Sequence, residues 1–313
     1  MGRGVAADLT SRKLTLIGYG NQARGQAMNL RDAGCAPVIA LRPGSNSHAT
    51  ARDDGFETAD IATACAAADI VAFLVPDEVQ GDLWSESVRE AVRPGAALVF
   101  AHGFSVHFGM VTPPEDLDVL LVAPKGAGSG MRYREACSWA VHQDASGQGE
   151  AIATAYARAI VGDQARLFET SFREEAVSDL FGEQVSLCGG VPSLILTAYE
   201  ALVEAGVSPD MAYYDVVQEI KLIADLIASK GLAGMYETVS DTAEYGAYET
   251  GPKLVGPETR AAMAEIMQAV TSGAFAERWV AEARNGRPSV AERRKQARAH
   301  GIEAAGRRAR GET

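Results

Sequence analysis

The sequence predicts a doubly wound α/β domain followed by an all-helical domain. Three observations predict it. Through about residue 172, short continuous apolar runs alternate with Ala-rich stretches of helical spacing. A glycine fingerprint follows the first of those runs directly. Beyond that point strand-like runs stop, and long segments carry apolar residues at a helical period. The expected boundaries are therefore 1–172 and 173–313, with the second domain opening near "ETSFREE".

Taken in order, "KLTLI" (13–17), "VIAL" (38–41), "IVAFLV" (70–75), "AALVFA" (96–101), "DVLLVA" (118–123) and "CSWAVH" (137–142) read as strands. They are continuous rather than alternating, as expected of strands buried on both faces. In the second domain, 192–205, 209–230 and 257–284 read as helices, and "EAGVSPD" (204–210) as a helix end with proline near the next start. The basic tail carrying Arg293, Arg294, Lys295, Arg298, Arg307, Arg308 and Arg310 reads as a solvated, partly disordered terminus.

Hydrophobic content of 47% and charged content of 22% suit a globular protein with a sizeable core. A net charge of −12 argues against nucleic acid as a partner, because such binding rests on cationic contacts to phosphate. Cys35, Cys65, Cys137 and Cys188 form no CxxC or close pair, which fits a reduced, cytoplasmic protein. The first residues lack the apolar core of a signal peptide, and no continuous apolar run suggests a membrane span.

"IGYGNQARGQAMNL" fits G-x-G-x-x-G/A through Gly18, Gly20 and Ala23. Placed after a strand and opening a helix, it predicts a Rossmann-type site whose helix N-terminus favours a pyrophosphate. Gly18, Tyr19, Gly20, Asn21 and Gln22 are the candidate cofactor contacts, with Gly103 at a later strand end. After the second strand stands "ALRPGSNSHA", without the acid that binds a ribose 2′-hydroxyl. Arg42, Ser45 and Ser47 offer a cation and two hydroxyls, favouring NADPH over NADH. His102 and Lys125 fall at carboxyl ends of strands, where ligands sit in such sheets. For each of these side chains an ordinary structural role is the alternative.

Two acid pairs stand at i, i+4: Asp179 with Glu183, and Asp215 with Glu219. Like charges at that spacing repel, unless a cation sits between them. Magnesium takes hard oxygen ligands, and a pair of ions clamps adjacent substrate oxygens. The alternative is two chance pairs on wet helix faces. Ser240 in "VSDTAEYG" adds a hydroxyl.

The stretches "GYGNQARGQAMNLRDAG", "LRPGSNS", "VPDEVQ", "AHGFSVHF", "VAPKGAG", "SDLFGEQVSLCGG" and "DTAEYGAYETGP" occur in an order that resembles ketol-acid reductoisomerase of the short form. The resemblance runs from about residue 13 to residue 290. It implies magnesium-dependent alkyl migration in acetolactate or acetohydroxybutyrate, then reduction by NADPH to a 2,3-dihydroxy acid on the way to valine and isoleucine. It also implies an interlocked helical dimer whose site draws on both chains. Asp179 and Glu183 match the first metal pair, Glu219 the last acid of the second, and Ser240 the substrate-contacting serine. His102 and Lys125 match polar groups lining the site; Arg42, Ser45 and Ser47 match the loop that sets NADPH preference. The sequence departs at Asp215, where the family usually has Glu, at Gln218, and in a shorter loop after Lys125. A relative recruited to another hydroxyketone or 2-keto acid, a non-catalytic NADP-binding protein and a metal-free imine or hydroxyacid reductase are the competing readings.

Overall fold

The computed structural model describes residues 7–125 and 136–312. The chain divides into two compact units, Met1–Ser178 and Asp179–Thr313.

The first unit is built on a sheet of β1 (Leu14–Ile17), β2 (Val38–Ala40), β3 (Thr58–Ala59), β4 (Ile70–Phe73), β5 (Ala97–Phe100), β6 (Asp118–Pro124), β7 (Ala136–Gln143) and β8 (Arg166–Glu169). Their order across the sheet is β3-β2-β1-β4-β5-β6-β7-β8. From β3 to β6 all neighbours are parallel; β7 is antiparallel to β6, and β8 parallel to β7. The order reverses between β1 and β4, which makes their carboxyl ends the expected ligand crevice.

Every residue of β1, β4, β5 and β6 is buried. Helices on both faces cause this. On one side α1 (Asn21–Asp32) and α6 (Gly149–Val161) bury Ala27, Leu30, Ile152 and Tyr156 against Leu16 and Ile39. On the other, α3 (Ile61–Ala67) and a π-helical turn, Trp84–Val88, pack Ile61, Cys65, Trp84 and Val88 against Ile17, Phe73 and Phe100. The turn continues α4 (Asp77–Leu83); α2 (Ser47–Asp53) and α5 (Phe104–His107) complete the layers.

Two strands escaped the apolar pattern. Thr58–Ala59 is two residues long, and Arg166–Glu169, "RLFE", lies at the sheet edge with Arg166, Phe168 and Glu169 exposed and Leu167 half-buried. An edge strand needs no continuous apolar run.

The second unit takes in the end of α7 (Phe172–Gly182), which runs into a π-helical turn, Glu183–Leu187. Then come α8 (Gly190–Glu204), α9 (Pro209–Tyr213), a π-helical turn (Tyr214–Gln218), α10 (Glu219–Tyr236), α11 (Asp241–Leu254), α12 (Pro257–Thr271) and α13 (Ala274–Arg284). Ser208 caps α9 by accepting from the Met211 N–H, with Pro209 at the first helical position.

The basic tail is not disordered. It forms α14 (Pro288–Ala299) and α15 (Gly301–Ala309), and α15 lies against α9. Ala305 is buried with Tyr199, Ala212 and Tyr213, Arg308 pairs with Asp210, and His300 caps α15 through the Ile302 N–H. Counting basic residues hid the Ile302, Ala305, Ala309 face that folds it back.

The expectation of no membrane-length apolar stretch also needs correction. Phe172–Glu204 is long and apolar enough to cross a membrane by length and composition, and only 6% of its apolar window is buried. Small residues interrupt the apolar run, so no continuous stretch shows, while an 18-residue average still passes. One such helix is weak evidence for a membrane. Exposed apolar side chains recur through this unit, at Leu222, Leu232, Leu254 and Val255 among others.

Candidate functional site

The glycine loop follows β1 as the fingerprint requires. Gly18 has φ +97°, and a Cβ there would stand 2.8 Å from Val75 Cγ1 and 2.9 Å from the Leu74 carbonyl. Both the backbone and the close approach of the β4 end demand glycine. Gly20 caps α1, and a Cβ built on it meets nothing within 4 Å. That open cradle at a helix N-terminus fits a dinucleotide phosphate. Asn21 is exposed, Gln22 partly so, and Ala23 is buried against the sheet.

Tyr19 turns the other way. Its hydroxyl donates to Asp54 Oδ2 at 2.8 Å, its ring packs edge-on against Phe56, and Arg24 grips the same carboxylate. Burial, then the Asp54 hydrogen bond, raises the Tyr19 phenol pKa well above its usual value. Only the backbone of Tyr19 belongs to the loop.

Arg42, just past β2, is exposed. Its carbonyl accepts from Ser45 N–H at 3.2 Å and stands 3.3 Å from His48 Nε2, while Ser45 Oγ accepts from Ser47 N–H at 3.3 Å. The loop is thus held by its backbone and by the Ser45 and His48 side chains, with Arg42 left exposed.

A polar cluster forms at the ends of β4, β5 and β6. His102 Nδ1 is 2.9 Å from Asp77 Oδ2, and its Nε2 is 3.7 Å from Glu175 Oε2. Lys125 Nζ donates to Glu175 Oε1 at 3.2 Å, and Gly103 N–H donates to Glu175 Oε2 at 2.7 Å. Glu175 is 4% exposed; a buried carboxylate is tolerated only where donors meet it. Gly103 admits it sterically as well: a Cβ there would fall 2.2 Å from the Phe172 carbonyl. Gly103 therefore acts as an amide donor and as the seat of α7.

Sequence reading missed Glu175 and Asp77. The signal for Glu175 was its position four residues before Asp179, on the same helix stripe. Asp77 sits in the quoted "VPDEVQ", at the first turn of α4.

Asp179 is partly buried on α7, and Glu183 is exposed where the π-helical turn begins. Asp215 lies within the π-helical turn that leads into α10, and Glu219 opens α10; both are exposed. Each acid pair thus adjoins a π-helical turn, a feature common at functional sites, although a third such turn, Trp84–Val88, also adjoins acids at that spacing, Asp82, Glu86 and Glu90. Among the described residues no group of three or more His, Cys, Asp or Glu side chains is positioned to hold a metal. One chain does not bring the four acids together. Ser240 is exposed and caps α11, its Oγ accepting from Ala243 N–H at 3.3 Å. Of the shortened stretch after Lys125, residues 126–135 lie outside the described residues, and the rest belongs to β7.

Residues 8–166 match the family described as acetohydroxy acid isomeroreductase, NADPH-binding domain, and residues 172–313 match ketol-acid reductoisomerase, C-terminal domain. The chain belongs to the ketol-acid reductoisomerase family. A solved NADH-preferring ketol-acid reductoisomerase from an uncultured archaeon is 37% identical, with 97% of this chain and 95% of that chain covered and a TM-score of 0.92. Two more distant structures share the fold alone. A semialdehyde dehydrogenase NAD-binding protein from Cupriavidus necator is 17% identical, with 83% and 98% covered and a TM-score of 0.65. A pyrroline carboxylate reductase from Plasmodium falciparum is 14% identical, with 86% and 99% covered and a TM-score of 0.54. Ketol-acid reductoisomerases join an isomerase to a nicotinamide-dependent oxidoreductase and serve branched-chain amino-acid synthesis.

Proposed function

We propose that this chain is a magnesium- and NADPH-dependent reductoisomerase that converts acetolactate or acetohydroxybutyrate to 2,3-dihydroxy acids, acting in the cytoplasm. The observation that carries the reading is the Asp77–His102–Glu175–Lys125 cluster at the ends of β4, β5 and β6, in a chain that matches the family across both domains.

Residues 1–172 would bind the nucleotide. The open cradle at Gly20 supports a pyrophosphate there, and Arg42, with Ser45 and Ser47, would meet a 2′-phosphate. Asp179, Glu183, Asp215 and Glu219 would hold magnesium: all four offer hard carboxylate oxygens, and none is sealed in a core. When bound, magnesium polarises the substrate's adjacent oxygens and NADPH supplies hydride. Lys125 orients an anionic substrate by charge, and its bond to Glu175 fixes the ammonium. His102 would take up or release a proton at a reacting oxygen, Glu175 would hold Lys125 in place, and Ser240 would steady the substrate carboxylate.

The four acids are not assembled by one chain, and the second unit exposes many apolar side chains. Both facts support a homodimer whose site draws an acid pair from each chain, with the partner covering Phe172–Glu204 and its neighbours.

Following NADPH absorbance with acetolactate and magnesium tests the reading. Turnover that disappears on chelation and returns with magnesium is expected; silence would remove it. Asp179→Asn should abolish magnesium-dependent turnover, and a variant at the wild-type rate would strip that residue of its metal role. Arg42→Asp should weaken NADPH more than NADH; unchanged affinities for both would count against the 2′-phosphate assignment. Asp215, one methylene shorter than the family's usual Glu, favours a second reading, a relative working on another 2-keto acid. Reduction of 3-hydroxy-3-methyl-2-ketobutyrate without turnover of acetolactate would indicate a damaged migration step, whereas silence on both with NADPH still bound would favour the second reading.

A further inference from the structure

Asp77 does more than neighbour His102. Gln80 is 3% exposed, and its Nε2 donates to the Val75 carbonyl at 2.9 Å and to Asp77 Oδ1 at 3.2 Å. A backbone carbonyl only accepts, so this bond fixes which end of the Gln80 amide is nitrogen. The other end, Oε1, accepts from the fully buried Ser105 hydroxyl at 2.6 Å. The chain of bonds therefore has one direction. Ser105 donates to Gln80, and Gln80 donates to Asp77 Oδ1. Asp77 Oδ2 is left to accept from His102 Nδ1 at 2.9 Å.

A carboxylate offers acceptors only, so Nδ1 carries the proton. The ring is also held by stacking on Phe104, with centroids 6.0 Å apart and planes 18° apart. Nε2 faces Glu175 Oε2 at 3.7 Å, beyond hydrogen-bond length.

We propose that Asp77, braced by Gln80 and Ser105, is a positioning residue that fixes His102 in the Nδ1–H tautomer and so presents Nε2 as a proton acceptor at the candidate site. The role assigned to Nε2 rests on the reductoisomerase reading; the tautomer does not. Aspartate that orients a histidine by its Nδ1–H is a recurrent device, and replacing it with asparagine imposes the wrong tautomer. The local geometry predicts the same outcome. In Asp77→Asn, the asparagine oxygen must accept from Gln80 Nε2, because two donors cannot face each other. Its amide nitrogen then points at His102 Nδ1 and demands a lone pair there.

The test is nitrogen-15 NMR of ring-labelled histidine in the full-length protein at alkaline pH, with His102 assigned by His102→Gln. Wild type is expected to show a protonated Nδ1, and Asp77→Asn a protonated Nε2. In the same variant, kcat with acetolactate should fall on the order of ten- to hundred-fold, as for residues that orient a functional histidine. KM and NADPH affinity should stay within about two-fold, since a positioning residue outside the binding contacts removes little uniform binding. A wild-type ring protonated at Nε2, a tautomer unmoved by Asp77→Asn, or an unchanged kcat would each overturn the proposal. The wild-type spectrum decides it even if the variant does not fold. If wild type turns over no acetolactate, the reductoisomerase reading falls, and the ring nitrogens still report on Asp77.

Discussion

Glu175 shows how one side chain can be excluded from a sequence reading and still organise a site. It is 4% exposed, and its oxygens take up Gly103 N–H and Lys125 Nζ. Its place depends on Gly103, because any Cβ there would collide with the Phe172 carbonyl and lift the first turn of α7 away. Gly103→Ala should therefore cost on the order of 1–3 kcal/mol, the usual penalty for overpacking. A urea midpoint equal to that of wild type would contradict the seating described. Glu175→Gln keeps the shape but loses the charge facing Lys125. Its expected effect is a kcat at least roughly ten-fold lower, measured with magnesium saturating; an unchanged kcat would demote Glu175 to packing.

Among the elements, α15 is the one whose composition misleads most. Seven basic residues in the tail suggest solvation, yet three apolar positions, Ile302, Ala305 and Ala309, return to α9. They meet Tyr199, Ala212 and Tyr213, which form the small buried cluster of the second unit. Ending the chain at Ala299 would uncover that cluster. A loss on the order of 2 kcal/mol, about that of exposing one large aliphatic side chain, is expected in denaturant unfolding. A truncated chain as stable as the full one would show that α15 is dispensable. The π-helical turns beside both acid pairs belong to this scale too. An i→i+5 turn brings residues four apart closer to eclipse than an α-helix does, which would suit the proposed sharing of one ion by two carboxylates.

For the molecule as a whole, the second unit has too little buried apolar surface of its own. Leu222, Leu232, Leu254 and Val255 are each more than 60% exposed. Burying side chains of this size is worth about 1.5–3 kcal/mol each, so a second copy has a strong reason to cover them. Sedimentation equilibrium should find the active species to be a dimer or larger. Leu222→Asp with Leu254→Asp should shift it toward monomer and remove turnover with it. A fully active monomer would exclude the shared site.

The local pattern alone determined the α/β first half and the helical second half. Each depends on short-range rules: an apolar run long enough for a buried strand, a period that fits one helix face, glycines where the backbone turns at β1. The edge strands β3 and β8 were not legible, because β3 is only two residues long and the exposure of β8 leaves it no apolar signature. The glycine loop and the four acids could be read from spacing, since i, i+4 and G-x-G-x-x-A are local facts. Asp77, Glu175 and the inward turn of Tyr19 were decided only by tertiary structure. Asp77 meets His102 twenty-five residues on, and Glu175 meets Gly103 across seventy-two. No local pattern records which of the many acids will be carried by a helix to donors that come from two different strand ends.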